Sequence, residues 1–97
     1  MREIITEAIQ KKLCLAIHYG GFERVVEPHA HGMTREGHHI MRIWQTRGGS
    51  RSGKLPPWRL MRLDETHGLR LLDEAAQTPR PDYRRGDKAM RVIYCQV

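Results

Sequence analysis

The sequence predicts a mainly β fold with an N-terminal helix, built as a small five-stranded antiparallel barrel. Three observations lead there. One helical period is confined to the first thirteen residues, and the runs after it alternate in polarity as half-buried strands do. Gly-rich and Pro-containing segments separate those runs at turn spacing. The chain is 97 residues long, the size of one domain near the lower limit for folding without disulfides or metals.

Residues 3–13 read as an amphipathic helix, with Ile4, Ile5, Ala8, Ile9 and Leu13 on one face and Glu3, Glu7, Lys11 and Lys12 elsewhere. From Leu13 to Tyr19 the period becomes two. Gly20-Gly21 then supplies the positive torsions of a tight hairpin turn. Phe22 to Glu27 is the returning strand, ended by Pro28, which has no amide to donate. Residues 29–37 read as a connection. His38 to Gln45 is the third strand, apolar on both faces (Met41 and Ile43; Ile40 and Trp44), as a central or strongly curved strand requires. A long loop over 46–57 leads to a fourth strand, Trp58 to Leu63, and a short fifth, Leu69 to Leu72, follows a turn at Asp64 to Gly68. A helix and about five short strands match a small SH3-like or Sm-like barrel. The tail from Glu74 begins irregularly around Pro79 and Pro81 and ends in Met90 to Val97, read as a strand closing the sheet edge.

The formal net charge is +6 with neutral histidines. Most of the excess lies between Ile40 and Leu63, where Arg42, Arg47, Arg51, Lys54, Arg59 and Arg62 occur with no acidic residue before Asp64. Clustered cations suit an anionic partner such as a nucleotide or nucleic acid, and a solvated basic surface is the plain alternative. Cys14 and Cys95 fit neither a disulfide framework nor a metal pair, so a reducing, cytoplasmic setting is expected. The charged N-terminus does not read as a signal peptide. No apolar run approaches the roughly 20 residues that span a bilayer, so no membrane partner is expected.

The candidate ligand-binding residues are Arg42, Arg51, Arg59 and Arg62, whose planar guanidinium forks match bidentate oxygen acceptors. Arg59 and Arg62 are an odd number of positions apart, so a regular strand points them to opposite faces and only a bulge or an edge-wrapping ligand reaches both. Alternatively one of them pairs with Glu23, Glu27 or Asp64. The segment Gly48 to Gly53 has the amides, hydroxyls and cation of an anion nest but not Walker-loop spacing. Trp44 and Trp58 flank that loop. Exposed, they would stack on bases; buried, they belong to the core.

These residues resemble the WYL domain, an Sm-like module of bacterial regulators, over roughly 4–73. The likeness rests on Ile5 to Lys12 (Ile-x-x-Ala-Ile-x-x-Lys), a strand ending in Tyr19, Arg24-Val25-Val26-Glu27-Pro28, a Gly37-led strand, and Arg59-Leu60-Met61-Arg62-Leu63-Asp64 at the family's Arg-x-Phe-Arg-Leu-x-Arg-Ile signature. At the name-giving tripeptide stands His38-His39-Ile40, Met61 replaces the signature Phe, and Glu65-Thr66 replaces Arg-Ile. The resemblance implies a single domain over 1–97, with a core over 3–73 and an extension over 74–97. It implies a stand-alone, non-catalytic regulatory module that senses a nucleotide or single-stranded nucleic acid, with no helix-turn-helix domain in front. Arg59 and Arg62 match the two earlier signature arginines.

Other chemistry is sparse. His29, His31, His38 and His39 lie close in sequence, but a zinc site needs three or four converging ligands and His38 and His39 diverge on a strand, so no metal or other cofactor is expected. No Ser-His-acid or Cys-His arrangement is recognisable, so the chain reads as no enzyme. The alternative to a nucleic-acid ligand is a protein-interaction module, a homodimer or a regulatory partner's binding site.

Overall fold

A computed structural model describes residues 2–50 and 57–97. Helix α1 (Arg2–Lys11) is followed by β1 (Leu13–Tyr19), β2 (Phe22–Met33), β3 (His39–Gly48), β4 (Trp58–Arg62), a 3-10 turn at Leu63–Glu65, β5 (Thr66–Ala75) and β6 (Val92–Gln96). The fold is therefore mainly β with one N-terminal helix, as the periodicities indicate. Six antiparallel strands are present rather than five. Five run in the order β4-β3-β2-β1-β5, and β6 joins β2. The sheet is not closed, since β4 and β5 are not paired with each other among the described residues.

The helix stops where Lys12 takes a positive φ of 54°. Its apolar face, Ile5, Ala8 and Ile9, packs on Leu15, Ile17, Val26, Met41, Ile43, Met61 and Leu63 to form the main core. Gly20 and Gly21, with φ of 60° and 82°, make the expected two-residue turn, and Tyr19 faces Phe22 across it. Strand β1 is buried continuously from Cys14 to Ile17, on both faces rather than one, and β3 lies between β2 and β4 with buried residues on both faces, as its two-faced apolar pattern predicts.

Three boundaries are longer than the sequence suggests. Strand β2 does not end at Pro28 but continues to Met33. Pro28 faces Ile43 and Ala30 faces Arg42, so His29 is an extra residue, a bulge that carries the ladder past the missing amide. The region 29–33, expected as connection, is strand because β3 pairs with it on one side, from Ala30 opposite Arg42 to Met33 opposite His39, and β6 on the other, from Ala30 opposite Gln96 to Met33 opposite Val92. Strand β3 runs on to Gly48 through Thr46, extra relative to β2, whose hydroxyl donates to the Val25 carbonyl. Strand β5 covers Thr66–Ala75, with Gly68 inside it rather than in a turn. The C-terminal strand forms as read, on β2.

Close approach of β6 to β2 depends on Gly32. A Cβ there would overlap the Val92 carbonyl oxygen and press on Met90 Sδ. Gly32→Ala is expected to cost roughly 1–3 kcal/mol of unfolding free energy, read by urea denaturation, because the nearest clash is with Val92 backbone, which cannot rotate away as the Met90 side chain can. An unchanged midpoint would show that β6 seats differently.

Candidate functional site

The uninterrupted register of β3 with β4 sorts the candidate residues by face. Opposed pairs share a side, so Ile40 with Arg62, Arg42 with Leu60, and Trp44 with Trp58 form an outer face. Met41 with Met61 and Ile43 with Arg59 point to the main core. No bulge intervenes in β4. The structure consequently brings Arg42, Arg62, Trp44 and Trp58 to one face and leaves Arg59 on the other. Arg51, Lys54 and the second half of the Gly48 to Gly53 segment lie outside the described residues.

Over the outer face runs an irregular strap, residues 76–91. It is anchored first at buried Glu27, only 2% exposed, whose carboxylate accepts from Arg80 Nε at 2.7 Å, Arg80 Nη2 at 3.2 Å and the Gln77 amide at 2.9 Å. The Arg80 amide donates to His29 Nε2 at 3.0 Å, and the Arg80 guanidinium sits 5.0 Å over the Trp44 ring. Trp58 Nε1 donates to the Pro81 carbonyl at 2.9 Å. At its far end Met90 is buried against Ala30 and Ile40 in a second apolar cluster, and the Arg91 amide donates to the Met33 carbonyl. Between these anchors Asp87 receives Arg42 Nε at 2.7 Å and Nη2 at 3.1 Å. The Arg42 fork holds the Asp87 carboxyl below the usual carboxylate range.

Strap and sheet enclose a ring cluster and a cleft. His29, aimed outward by its bulge, lies 4.6 Å from Trp58 and 5.0 Å from Tyr83 between ring centroids. Trp44 meets Trp58 edge-on at 5.3 Å, and Tyr83 stacks on Trp58 at 6.1 Å with 24° between planes. Both tryptophans are half-buried, neither core nor free surface. Beside them opens a cleft of about 460 Å³ lined by Arg42, Trp58, Tyr83, Arg84, Lys88 and the carboxylates Asp82 and Asp87. Arg84 and Lys88 are exposed, and neither makes an ion pair with a described residue.

Other candidates are accounted for locally. Arg62 is bidentate to Asp64, at 3.1 and 2.6 Å, the pairing that competes with ligand contact. On the inner face, Arg24 is 2% exposed, donates to the Tyr19 carbonyl and Gln45 Oε1, and lies over the Tyr19 ring at 5.1 Å. Burial, then the nearby Arg59, lowers its pKa. The histidines separate: His31 shares a 2.9 Å bond with Thr6 of α1, and His39 one of 3.2 Å with the Tyr94 hydroxyl. Among the described residues no three His, Cys, Asp or Glu side chains group as metal ligands. Cys14 is buried and its thiol is pushed up to about 11, first by burial and then by Glu74. No helix among the described residues is long and apolar enough to cross a membrane.

The contribution of the tail escapes sequence reasoning. Tyr83, Arg84 and Lys88 belong to a segment without periodicity, and the only advance signal is its composition, five cations (Arg80, Arg84, Arg85, Lys88, Arg91) against two carboxylates (Asp82, Asp87). Comparison with family models, curated proteins and solved structures finds no match to this chain.

Proposed function

We propose that the protein is a non-catalytic binding module of WYL-like, Sm-like build that takes a nucleotide or a short single-stranded nucleic acid in the cleft between the outer sheet face and the strap. One observation carries this reading: the stacked pair Trp58 and Tyr83 lies beside two exposed cations, Arg84 and Lys88, that no described carboxylate engages. A ring platform next to unengaged cations suits a base joined to a phosphate, because stacking tolerates any base and the cations gain by counterion release. Arg42 offers a third, partly exposed guanidinium in the same cleft. The non-catalytic reading is supported by the placement of the cleft's two carboxylates, one held by Arg42 and the other at the exposed rim.

The test is fluorescence titration with decathymidylate and, separately, with ADP at low salt. Binding is expected to quench Trp58, with the signal lost in Trp58→Phe while Trp44 remains. The double variant Arg84→Ala/Lys88→Ala is expected to weaken decathymidylate binding by roughly tenfold at low salt and to flatten the salt dependence. Absence of any response to either compound overturns the proposal. Preference for ADP over the oligonucleotide would make the ligand a nucleotide.

The sheet edges favour a second reading. Strands β4 and β5 each have one unpaired side among the described residues, and Leu60 is exposed on β4, so a second copy could pair there. A concentration-independent monomer by sedimentation removes it.

A further inference from the structure

We infer that Asp87 is a built-in stand-in for the anionic group of the ligand, so that the strap holds the cleft in a self-occupied state which an incoming phosphate must displace. The inference rests on the reading of the cleft as an anion-binding site and adds its regulation. Among the described residues Arg42 is the one guanidinium of the outer hairpin face that lines the cleft, and Asp87 engages it through two oxygens, as a phosphate would. The pair is partly shielded, with 9% of the Asp87 side chain and 29% of the Arg42 side chain exposed. A carboxylate in that position both fills the fork and repels a second anion.

The architecture allows that one contact to open without unfolding the strap. The heavy anchors lie on either side of it: Arg80 on Glu27 and His29, and Met90 with Arg91 on β2 and β3. Residues 82–88 between them hold to the sheet through few groups. Besides Asp87 these are the Tyr83 ring, the Tyr83 hydroxyl donating to the His29 carbonyl at 3.3 Å, and the Gly86 amide donating to Gln96 Oε1 at 2.9 Å. Gly86, with a φ of 75°, stands next to Asp87 as a pivot that side-chain-bearing residues rarely provide. Arg84 and Lys88 flank the pivot, so a polyanion that takes Arg42 meets cations on the moving segment as well. A ligand that must first open the strap binds more weakly by the fraction of molecules already open.

Asp87→Asn tests this, because asparagine keeps an oxygen for the Ala89 amide, which now donates to Asp87 Oδ1 at 3.0 Å, while losing the charge that grips Arg42. Asp82→Asn is the control: it removes the same charge from the same cleft, at an exposed residue with no bond to Arg42. Affinity for fluorescein-labelled decathymidylate is expected to rise about tenfold in Asp87→Asn and less than about threefold in Asp82→Asn. Hydrogen exchange at the Gly86 and Ala89 amides is expected to quicken when the wild-type protein is saturated with oligonucleotide. Equal gains in the two variants would reduce the effect to net charge and overturn the inference. So would wild-type binding with no gain in Asp87→Asn, or with unchanged exchange at both amides; either result leaves the cleft's function standing. If neither wild type nor Asp87→Asn binds decathymidylate or ADP, the proposed function falls and this inference with it.

Discussion

Glu27→Ala is expected to lower the unfolding free energy by roughly 3–5 kcal/mol, more than any surface substitution in the chain. The carboxylate is almost fully buried and accepts three hydrogen bonds, two from Arg80 and one from the Gln77 amide. Its loss strands a guanidinium that is only 23% exposed and frees the first anchor of the strap. Part of the cost is the unpaired Arg80, so Glu27→Ala/Arg80→Ala is expected to lose clearly less than the sum of the single variants. Urea unfolding of the four proteins measures both quantities. A loss under about 1 kcal/mol in Glu27→Ala would show that the strap holds without this pair.

Acidification from pH 7.5 to 4 is expected to remove up to about 3 kcal/mol of stability through His31 alone. His31 is 1% exposed, and burial first, then the charges of Arg2 and His39, lowers its pKa from 6.5 to about 4. A histidine held neutral by the fold takes up its proton near 6.5 when unfolded and near 4 when folded. The unfolded state therefore binds more protons throughout that window, and stability falls as pH falls through it. Above the unfolded value the contribution is complete; below about 4 no more is lost. His29, also lowered by burial, adds loss in the same direction. The paired carboxylates Asp64, Glu74 and Asp87 are held below their ordinary values first by hydrogen bonds from Arg62, Arg47 and Arg42, so their contribution is lost only at the acid end of the profile, as pH falls below those ordinary values. Denaturant midpoints at half-unit intervals give the curve, and His31→Asn is expected to flatten most of it. A flat wild-type profile between pH 4 and 6.5 would contradict the burial of this ring as a neutral base.

Local periodicity made much of the fold legible. The isoleucines of α1 and the two-faced β3 carry their burial in their spacing, and Gly20-Gly21 carries its turn. What escaped was decided at long range. Pro28 reads as a strand end because its missing amide is a local fact, whereas the bulge at His29 is set by the ladder with β3, and the pairing with β6 comes from residues about sixty positions away. The candidate arginines show the same division. Their residue type and the opposed faces of Arg59 and Arg62 follow from the sequence. That Arg42 is held by Asp87 and Arg62 by Asp64 is settled by strap and turn geometry. The sequence offers Glu27 as a partner for a hairpin arginine, whereas its partner is Arg80 of the strap. The half-buried state of Trp44 and Trp58 likewise depends on a tail with no period to read.

Strand β2 has a consequence for how the chain assembles. Along one edge its first half pairs with β1 across a two-residue turn, and its second half pairs with β6, about sixty residues further along the chain. The edge from Ala30 to Met33 therefore stays unsaturated during synthesis until β6 emerges, although its other side can already pair with β3. Local hairpins close quickly and such a distant pairing closes late.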